Sequence, residues 1–153
     1  MRLLVTGAAG YIGGTFAYEA LKKGHEVFGI DNFINSSDTV PKLLKREFNA
    51  LWDFSNLDLV SEETKLDELI QRAKPEVVLH FAGLKAVSES EEKPFLYWNN
   101  NFLSSKNLLE CMSRYNVSKL VFSSSATVYG DAKIQPITDF DLGIIQPQKN
   151  RIQ

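Results

Sequence analysis

The chain has 153 residues, of which 44% are hydrophobic and 24% are charged, and its formal net charge is −2. This composition excludes a disordered chain, and it provides no overall positive field that would attract nucleic acid or an acidic membrane surface. The one cysteine, Cys111, excludes a disulfide framework or a thiolate metal site, and no apolar run approaches the ~20 residues that a membrane-spanning helix needs. We therefore expect a cytoplasmic protein that binds no metal, nucleic acid or membrane.

Short apolar runs, rich in β-branched residues, predict the strands. Each run is continuous rather than alternating in polarity, as expected for parallel strands that are covered on both faces of a sheet. In chain order the runs lie at Leu3-Leu4-Val5, Val27-Phe28-Gly29-Ile30, Val77-Val78-Leu79-His80-Phe81 and Leu120-Val121-Phe122. A weaker strand is predicted between residues 51 and 54.

Stretches with apolar residues at helical spacing separate these runs. They span residues 11–23, 64–73 and 100–115. Gly24 is predicted to end the first helix, and Ser61 to cap the second. The alternation of strands and helices predicts an α/β fold in which helices cover both faces of a doubly wound parallel sheet.

Several conspicuous side chains are interpreted as structural rather than functional. The basic cluster at residues 42–46 is typical of a solvated surface. His25 and His80 are predicted to be surface or packing residues, and Cys111 is predicted to be a small core residue of its helix. No other histidine, cysteine or carboxylate cluster supports a metal site.

Three glycines at the first strand-to-helix junction predict a phosphate-binding turn. Gly7, Gly10 and Gly13 follow the first strand and open the first helix. Such glycines permit a tight turn, a close approach of backbone to a pyrophosphate and close packing of helix on strand, while the helix N-terminus offers N–H donors. The alternative is an ordinary glycine-rich turn.

An aspartate ends the second predicted strand. Asp31 lies 18 residues beyond Gly13, where a carboxylate can accept the hydroxyls of an adenosine ribose. The same charge would repel a 2′-phosphate, so Asp31 favours NAD over NADP. A turn aspartate at a strand end is the structural alternative.

Longer segments resemble a known family. The run Thr6-Gly7-Ala8-Ala9-Gly10-Tyr11-Ile12-Gly13 is similar to the glycine motif of the extended short-chain dehydrogenases/reductases. Three further segments resemble the UDP-glucose 4-epimerases within that family. They are His80-Phe81-Ala82-Gly83-Leu84-Lys85-Ala86-Val87-Ser88-Glu89-Ser90, Phe122-Ser123-Ser124-Ser125-Ala126-Thr127-Val128-Tyr129-Gly130-Asp131, and Lys93-Pro94 followed by Tyr97-Trp98-Asn99-Asn100-Asn101.

The resemblance implies a Rossmann-like, NAD-binding domain over residues 1–140, with the C-terminal part of the fold missing, and an irregular tail over residues 141–153. It assigns the pyrophosphate to the backbone of Tyr11 and Ile12. It assigns the adenosine ribose and the nearby phosphate to Asp31, Asn32, Asn35 and Ser36. It places Asp58 and Leu59 beside the adenine, and Phe81, Ala82, Gly83, Lys85 and Asn100 along the nicotinamide half.

The resemblance also implies an activity, the interconversion of UDP-glucose and UDP-galactose through a 4-keto intermediate. Ser125 matches the family's catalytic serine, which hydrogen-bonds the reacting hydroxyl of the UDP-hexose. The family's tyrosine base aligns near Asn150 or Arg151, neither of which is tyrosine, and its partner lysine is absent as well. The residues after Gln148 therefore predict a truncated or frameshifted, inactive epimerase.

Two alternatives remain at this point. One is a non-catalytic NAD-binding module or pseudoenzyme, which the missing tyrosine and lysine favour. The other is a different nucleotide-sugar epimerase or dehydratase of the same superfamily. In this family the helix predicted at residues 100–115 also helps to form a dimer, so we expect a homodimer or other self-association.

Overall fold

The computed structural model describes residues 1–125. In this part of the chain, strands and helices alternate, apart from two consecutive helices before the last strand. In chain order they are β1 (Arg2–Thr6), α1 (Tyr11–Lys22), β2 (Glu26–Asp31), α2 (Thr39–Phe48), β3 (Trp52–Asn56), α3 (Glu63–Ala73), β4 (Val77–His80), α4 (Val87–Glu92), α5 (Pro94–Arg114) and β5 (Leu120–Phe122).

The described strands form one parallel sheet in the order β3-β2-β1-β4-β5. The central strand β1 pairs on both sides, so that Leu4 lies opposite Phe28 of β2 and Val78 of β4. Helical crossovers between parallel strands place helices on both faces of a sheet. The predicted doubly wound, Rossmann-like α/β fold is confirmed.

Alternate residues of the central strands enter two separate cores. Leu4, Ile30 and Val78 pack on one face with the buried stripes of α3 and α5. Leu3, Val5, Val27 and Leu79 pack on the opposite face with α1 and α2. Strand side chains alternate between faces with a period of two, which explains why a strand between two helical layers needs a continuous apolar run.

Helix bounds and caps differ from the prediction in several places. The predicted helix at 100–115 begins six residues earlier, at Pro94, a residue suited to the first helical turn because it lacks an N–H. Glu62, not Ser61, occupies the N-cap position of α3, and its side chain makes no capping hydrogen bond, so that prediction is wrong. The sequence analysis did not predict α2 or α4. The basic cluster at 42–46 lies on α2, where Lys42 forms an exposed ion pair with Asp38.

Strand β5 departs from the expected burial. Val121 is 50% and Phe122 57% exposed, although the run was predicted to be covered on both faces. Among the described strands, β5 is the last in the sheet order and pairs with β4 only, so its side chains lack strand neighbours on the other side.

The contacts within the chain divide it into two compact units, residues 1–122 and 123–153. The predicted domain boundary at residue 140 lies outside the described residues. No helix in residues 1–125 has the length and apolar character needed to cross a lipid bilayer.

Candidate functional site

The loops that follow β1, β2, β3 and β4 leave the same edge of the sheet, because parallel strands share one carboxyl edge. In open α/β sheets, ligands bind beyond this edge, where the connections turn to opposite faces. In the order β3-β2-β1-β4, that switch lies between β1 and β4, because α1 and α2 cover one face of the sheet and α3 and α5 cover the other. The predicted cofactor-binding residues of unit 1–122 lie on these loops, at the end of β2, in the first turn of α1 and on the nearby part of α5.

The glycine turn after β1 is compact and leads directly into α1. The Gly10 amide donates to the Gly7 carbonyl at 3.1 Å, and the Gly14 amide donates to the Gly10 carbonyl at 2.9 Å. A Cβ atom at Gly13 would lie 2.2 Å from the Gly7 oxygen, so only glycine allows α1 to begin this close to the turn. The first turn of α1 contains no acidic residue, and its free amides form a site suited to an anion.

Gly7 also brings two loops into contact. Its φ angle is +67°, and a Cβ atom there would lie 2.8 Å from the amide nitrogen of Ala82 and 2.9 Å from the carbonyl carbon of Phe81. A side chain at Gly7 would therefore separate the glycine turn from the loop after β4. The predicted pyrophosphate loop and the predicted nicotinamide loop are direct neighbours for this reason.

Asp31 is 9% exposed and holds the neighbouring loops together. Its Oδ2 accepts a hydrogen bond from the Ala9 amide at 3.0 Å. Its Oδ1 accepts from the Phe33 amide at 2.9 Å and from the Ser36 hydroxyl at 2.8 Å. A carboxylate offers about four acceptor sites, so Asp31 can support the glycine turn and also accept a ribose hydroxyl.

The loop after Asp31 carries the other predicted ribose residues. Asn32 Oδ1 accepts from the Ile34 amide at 3.1 Å, and Asn35 is exposed. Phe33, between them, has a φ angle of +59° and stacks on Phe54 with ring centroids 5.4 Å apart. The stacking supports a backbone conformation that residues other than glycine rarely adopt.

Asp58 and Leu59, predicted beside the adenine, lie in the connection between β3 and α3. Asp58 Oδ1 accepts from the Val60 amide at 2.8 Å, and the Asp58 amide donates to Glu62 at 2.8 Å. Leu59 is buried, and its carbonyl accepts from Asn107 of α5 at 2.9 Å. This connection is thus fixed to two helices.

Residues 81–85 follow β4 and are attached to β1 and to α5. The Phe81 amide donates to the Thr6 carbonyl at 3.3 Å. Asn101 of α5 contacts the loop through both ends of its amide: its Oδ1 accepts from the Leu84 amide at 2.8 Å and its Nδ2 donates to the Leu84 carbonyl at 3.0 Å. The predicted residue Asn100 donates to Asn101 Oδ1 at 3.2 Å.

Other predicted site residues, in the loop after β4 and at Ser125, are exposed. Gly83 and Lys85 lie at the open side of the loop after β4, where a lysine can meet a phosphate as a point charge. Ser125 is also exposed and belongs to the unit that begins at Ser123. Its catalytic role stays a prediction, and the tail that aligns with the family's tyrosine lies outside the described residues.

The sequence analysis missed a polar cluster beneath the loop after β4. His80, predicted only to be a packing or surface residue, is 2% exposed and hydrogen-bonds Thr6 of β1 at 2.7 Å and Ser105 of α5 at 2.9 Å. Burial lowers the pKa of His80 to about 4, so its ring is neutral at pH 7. The only signal available from the sequence was a polar residue at the end of an apolar strand.

Cys111 has a further partner besides its apolar surroundings. It is completely buried, as predicted for a core residue, and its thiol donates to Asp67 of α3 at 2.9 Å. Burial raises the pKa of the Cys111 thiol to about 12, and the hydrogen bond to Asp67 acts in the same direction. Cys111 is therefore an unreactive structural thiol.

The arrangement fits a dinucleotide better than a metal ion. Glycine at positions 7 and 13 keeps backbone close together where a side chain would not fit, and the start of α1, Asp31 and the loop after β4 adjoin that turn. In residues 1–125, no three histidine, cysteine or carboxylate side chains are placed to hold a metal.

Comparisons with known proteins agree with this geometry. Residues 3–149 match the NAD dependent epimerase/dehydratase family. The UDP-glucose 4-epimerase of Dictyostelium discoideum is 43% identical over 147 residues, and that of Bacillus subtilis is 44% identical over 148 residues. These alignments cover 95% and 96% of the chain, but only 42% and 43% of the relatives.

A solved structure gives the same result. The UDP-glucose 4-epimerase from Bifidobacterium longum, in complex with NAD+ and UDP, superposes with a TM-score of 0.86 at 39% identity. The superposition covers 92% of this chain and 42% of that protein. The family match spans nearly all of the sequence, and the sheet order and glycine turn agree with it: the chain belongs to the NAD dependent epimerase/dehydratase family.

Proposed function

We propose that the chain binds NAD across the carboxyl edge of its sheet and forms the dinucleotide-binding part of a UDP-glucose 4-epimerase. The observation that carries the proposal is the packing of Gly7 against Phe81 and Ala82. This contact joins the turn suited to a pyrophosphate with the loop assigned to nicotinamide. The B. longum relative, crystallised with NAD+ and UDP, supports the choice of ligand.

The proposed binding mode divides the dinucleotide among the four loops. The first-turn amides of α1, at Tyr11 and Ile12, bind the pyrophosphate, for which the positive end of the helix dipole is suited. Asp31, with Asn32, Asn35 and Ser36, binds the adenosine ribose, and Asp58 and Leu59 flank the adenine. The nicotinamide half lies along Phe81, Ala82, Gly83, Lys85 and Asn100.

The reaction proposed for the whole protein is the interconversion of UDP-glucose and UDP-galactose. When bound, NAD would supply the redox chemistry at C4 of the hexose, where the configuration is inverted. Ser125 would hydrogen-bond the reacting 4-hydroxyl and hold it in place. A serine hydroxyl cannot remove that proton unaided, because its pKa is far above neutral, so a separate base is required.

A second candidate function is that of a non-catalytic NAD-binding module. It is favoured by the residues at the position that aligns with the family's tyrosine, which are Asn150 and Arg151. An assay of UDP-galactose conversion, run beside a titration with NAD, separates the epimerase from the non-catalytic module. A protein that includes the full length of the relatives and that binds NAD without converting UDP-galactose would be the non-catalytic module.

Self-association is also part of the proposal. One face of α5 exposes a stripe of large apolar side chains, which covers Phe95, Trp98, Phe102 and Leu109. Trp98 and Phe102 stack with ring centroids 5.7 Å apart. Large exposed apolar surfaces are characteristic of protein interfaces, and we propose that a second copy covers this stripe in a cytoplasmic homodimer.

The cofactor proposal is tested through Asp31. Asp31→Asn removes the charge that a ribose hydroxyl would meet, so we expect NAD affinity to fall about tenfold, the value of one hydrogen bond to a charged group. NADP affinity should fall less, because the repulsion of its 2′-phosphate is also removed, and the preference for NAD should narrow.

Calorimetric titration with both dinucleotides measures this change. Asp53→Asn is the matched control, since Asp53 lies on β3 and forms an exposed ion pair with Arg72 of α3. Equal affinity of the unaltered chain for NAD and NADP would contradict the assignment of Asp31.

A further inference from the structure

A buried hydrogen-bond chain crosses the core directly below the loop after β4. His80 ends that strand, and its two ring nitrogens contact hydroxyls on different elements. Nδ1 lies 2.7 Å from Thr6 Oγ1 on β1, and Nε2 lies 2.9 Å from Ser105 Oγ on α5. One side chain thus links the central strand to the helix that packs beside the proposed nicotinamide site.

The partners at each end of this chain fix its direction. The Ser105 hydroxyl donates its one proton to the main-chain carbonyl of Asn101 at 2.8 Å. The Ser105 oxygen therefore accepts the hydrogen bond from His80 Nε2–H. A neutral imidazole has one donor and one acceptor, and Nδ1 therefore accepts from the Thr6 hydroxyl. Thr6 Oγ1 in turn accepts from the Ala82 amide at 3.2 Å. Every proton in the series has one acceptor.

The same groups immobilise the loop above them. Thr6 holds Ala82, while Asn101, one turn before Ser105 on α5, pairs with both the amide and the carbonyl of Leu84. A Cβ atom at Gly83 would lie 3.4 Å from Asn101 Oδ1, so the loop backbone lies directly against that amide. Residues 82–84 are therefore held from β1 on one side and from α5 on the other.

We propose that His80, through the hydrogen-bond chain Thr6–His80–Ser105, is a positioning residue for the nicotinamide half of the bound dinucleotide. His80 itself does not contact the ligand. It fixes the backbone of residues 82–84, and that backbone contacts the ligand. This inference rests on the proposed function, since it requires the dinucleotide to lie along that loop. It predicts that a substitution which breaks this hydrogen-bond chain weakens binding of the nicotinamide half of NAD and leaves binding of the adenosine half unchanged.

The discriminating variant is Ser105→Ala, which removes the acceptor of His80 Nε2–H without introducing bulk and keeps a good helix former. Ser104→Ala is the matched control, because Ser104 is its buried neighbour and hydrogen-bonds the Asn101 carbonyl but not His80. Ser105→Thr is a second control, because it keeps a hydroxyl at this position. Thermal unfolding of each variant verifies that it is folded.

Two ligands separate positioning from general stability. ADP-ribose contains the adenosine, the pyrophosphate and the second ribose of NAD but lacks nicotinamide. In Ser105→Ala the loop at residues 82–84 is no longer fixed before NAD binds, so we expect NAD affinity to fall about tenfold by calorimetry, the cost of ordering that loop on binding. ADP-ribose affinity should stay within about twofold. Ser104→Ala and Ser105→Thr should bind both ligands like the unaltered chain.

Nuclear magnetic resonance gives a readout that needs no ligand. Long-range ¹H–¹⁵N correlation should assign the Nε2–H tautomer to His80 and should show a mixture of tautomers in Ser105→Ala, with His25 as the internal reference. A Nδ1–H tautomer in the unaltered chain would overturn the proposal. So would equal losses of NAD and ADP-ribose affinity, or no loss of either. Failure of the unaltered chain to bind ADP-ribose would instead overturn the proposed function itself.

Discussion

At the scale of single residues, Gly13 is required by packing rather than by backbone conformation. Alanine normally stabilises a helix interior by up to ~1 kcal/mol relative to glycine. At Gly13 the added Cβ would lie 2.2 Å from the Gly7 oxygen, and relief of such overpacking costs about 1–3 kcal/mol. We expect Gly13→Ala to lower the free energy of unfolding by about 2 kcal/mol in urea titrations.

Gly24 offers a contrasting control for this prediction. Its φ angle is +77°, but the space around its Cβ position is open, so Gly24→Ala should lower the stability only by the cost of a left-handed conformation, about 1 kcal/mol. A Gly13→Ala variant as stable as the unaltered chain would show that α1 can move away from the turn.

His80 makes the stability of the chain depend on pH. Because burial lowers its pKa to about 4, the folded state holds no proton on His80 between that value and the ordinary ~6.5, while the unfolded state does. The unfolded state therefore binds more protons in this window, and stability falls as the pH falls. From pH 7 to pH 5 we expect a loss of about 2 kcal/mol in the free energy of unfolding.

Denaturant titrations at the two pH values test this expectation. His80→Gln should remove most of the pH dependence, whereas His25→Gln, at a half-buried position near the N-terminus, should retain it. Hydrogen bonds from Cys111 and Arg114 hold the pKa of Asp67 below its ordinary value, so that carboxylate stays charged in this window. If the free energy of unfolding depended equally on pH in the His80 and His25 variants, the pH dependence could not be assigned to His80.

At the scale of elements, the helical segments that the sequence analysis missed are those with little buried apolar surface. In the first turns of α5, Tyr97 is buried, but Phe95, Leu96 and Trp98 are exposed. The apolar residues in these first turns lie on the outer face of α5 and not in the core. The helical spacing of apolar residues therefore predicted only the part of α5 from residue 100 onward. Helix α4 buries no residue at all, and periodicity had nothing to detect.

The exposed stripe of α5 leads to a prediction about self-association. Trp98 is 68% and Phe102 53% exposed, and a charge at Trp98 could not be buried between two copies without a large desolvation cost. Trp98→Glu should therefore shift the chain toward monomer in light scattering at high concentration. Leu43→Glu, at an exposed apolar site on α2, should not. A clean monomer for the unaltered chain would contradict the proposed homodimer.

At the scale of the whole molecule, most of the fold was predictable because its signals are local. Continuous apolar runs located four of the strands, and the glycine turn and Asp31 indicated where the carboxyl edge lies. The hydrogen-bond chain from Thr6 to Ser105 was not predictable, since its members lie 74 and 25 residues apart and hydroxyl residues have no distinctive spacing. Only the folded sheet shows which of them meet His80.

Activity is also a property of the whole molecule. A polypeptide of these 153 residues contains no tyrosine where the family's base aligns, and loss of a general base typically lowers the rate by 10²–10⁴. We expect NAD binding without measurable conversion of UDP-galactose in a coupled assay. Sustained conversion that Ser125→Ala abolishes would contradict this expectation.

The position of β1 at the centre of the sheet has a consequence for the order of folding during synthesis. Leu4 is paired with Phe28 and Val78, so the ribosome makes the second partner 74 residues after Leu4. At 5–20 residues per second, this interval lasts about 4–15 s. During that time one side of the buried strand β1 has no neighbour, so we expect chaperones to bind the nascent chain until β4 emerges from the exit tunnel. Strand β1 is thus made before both of its neighbours but is enclosed only after the second of them.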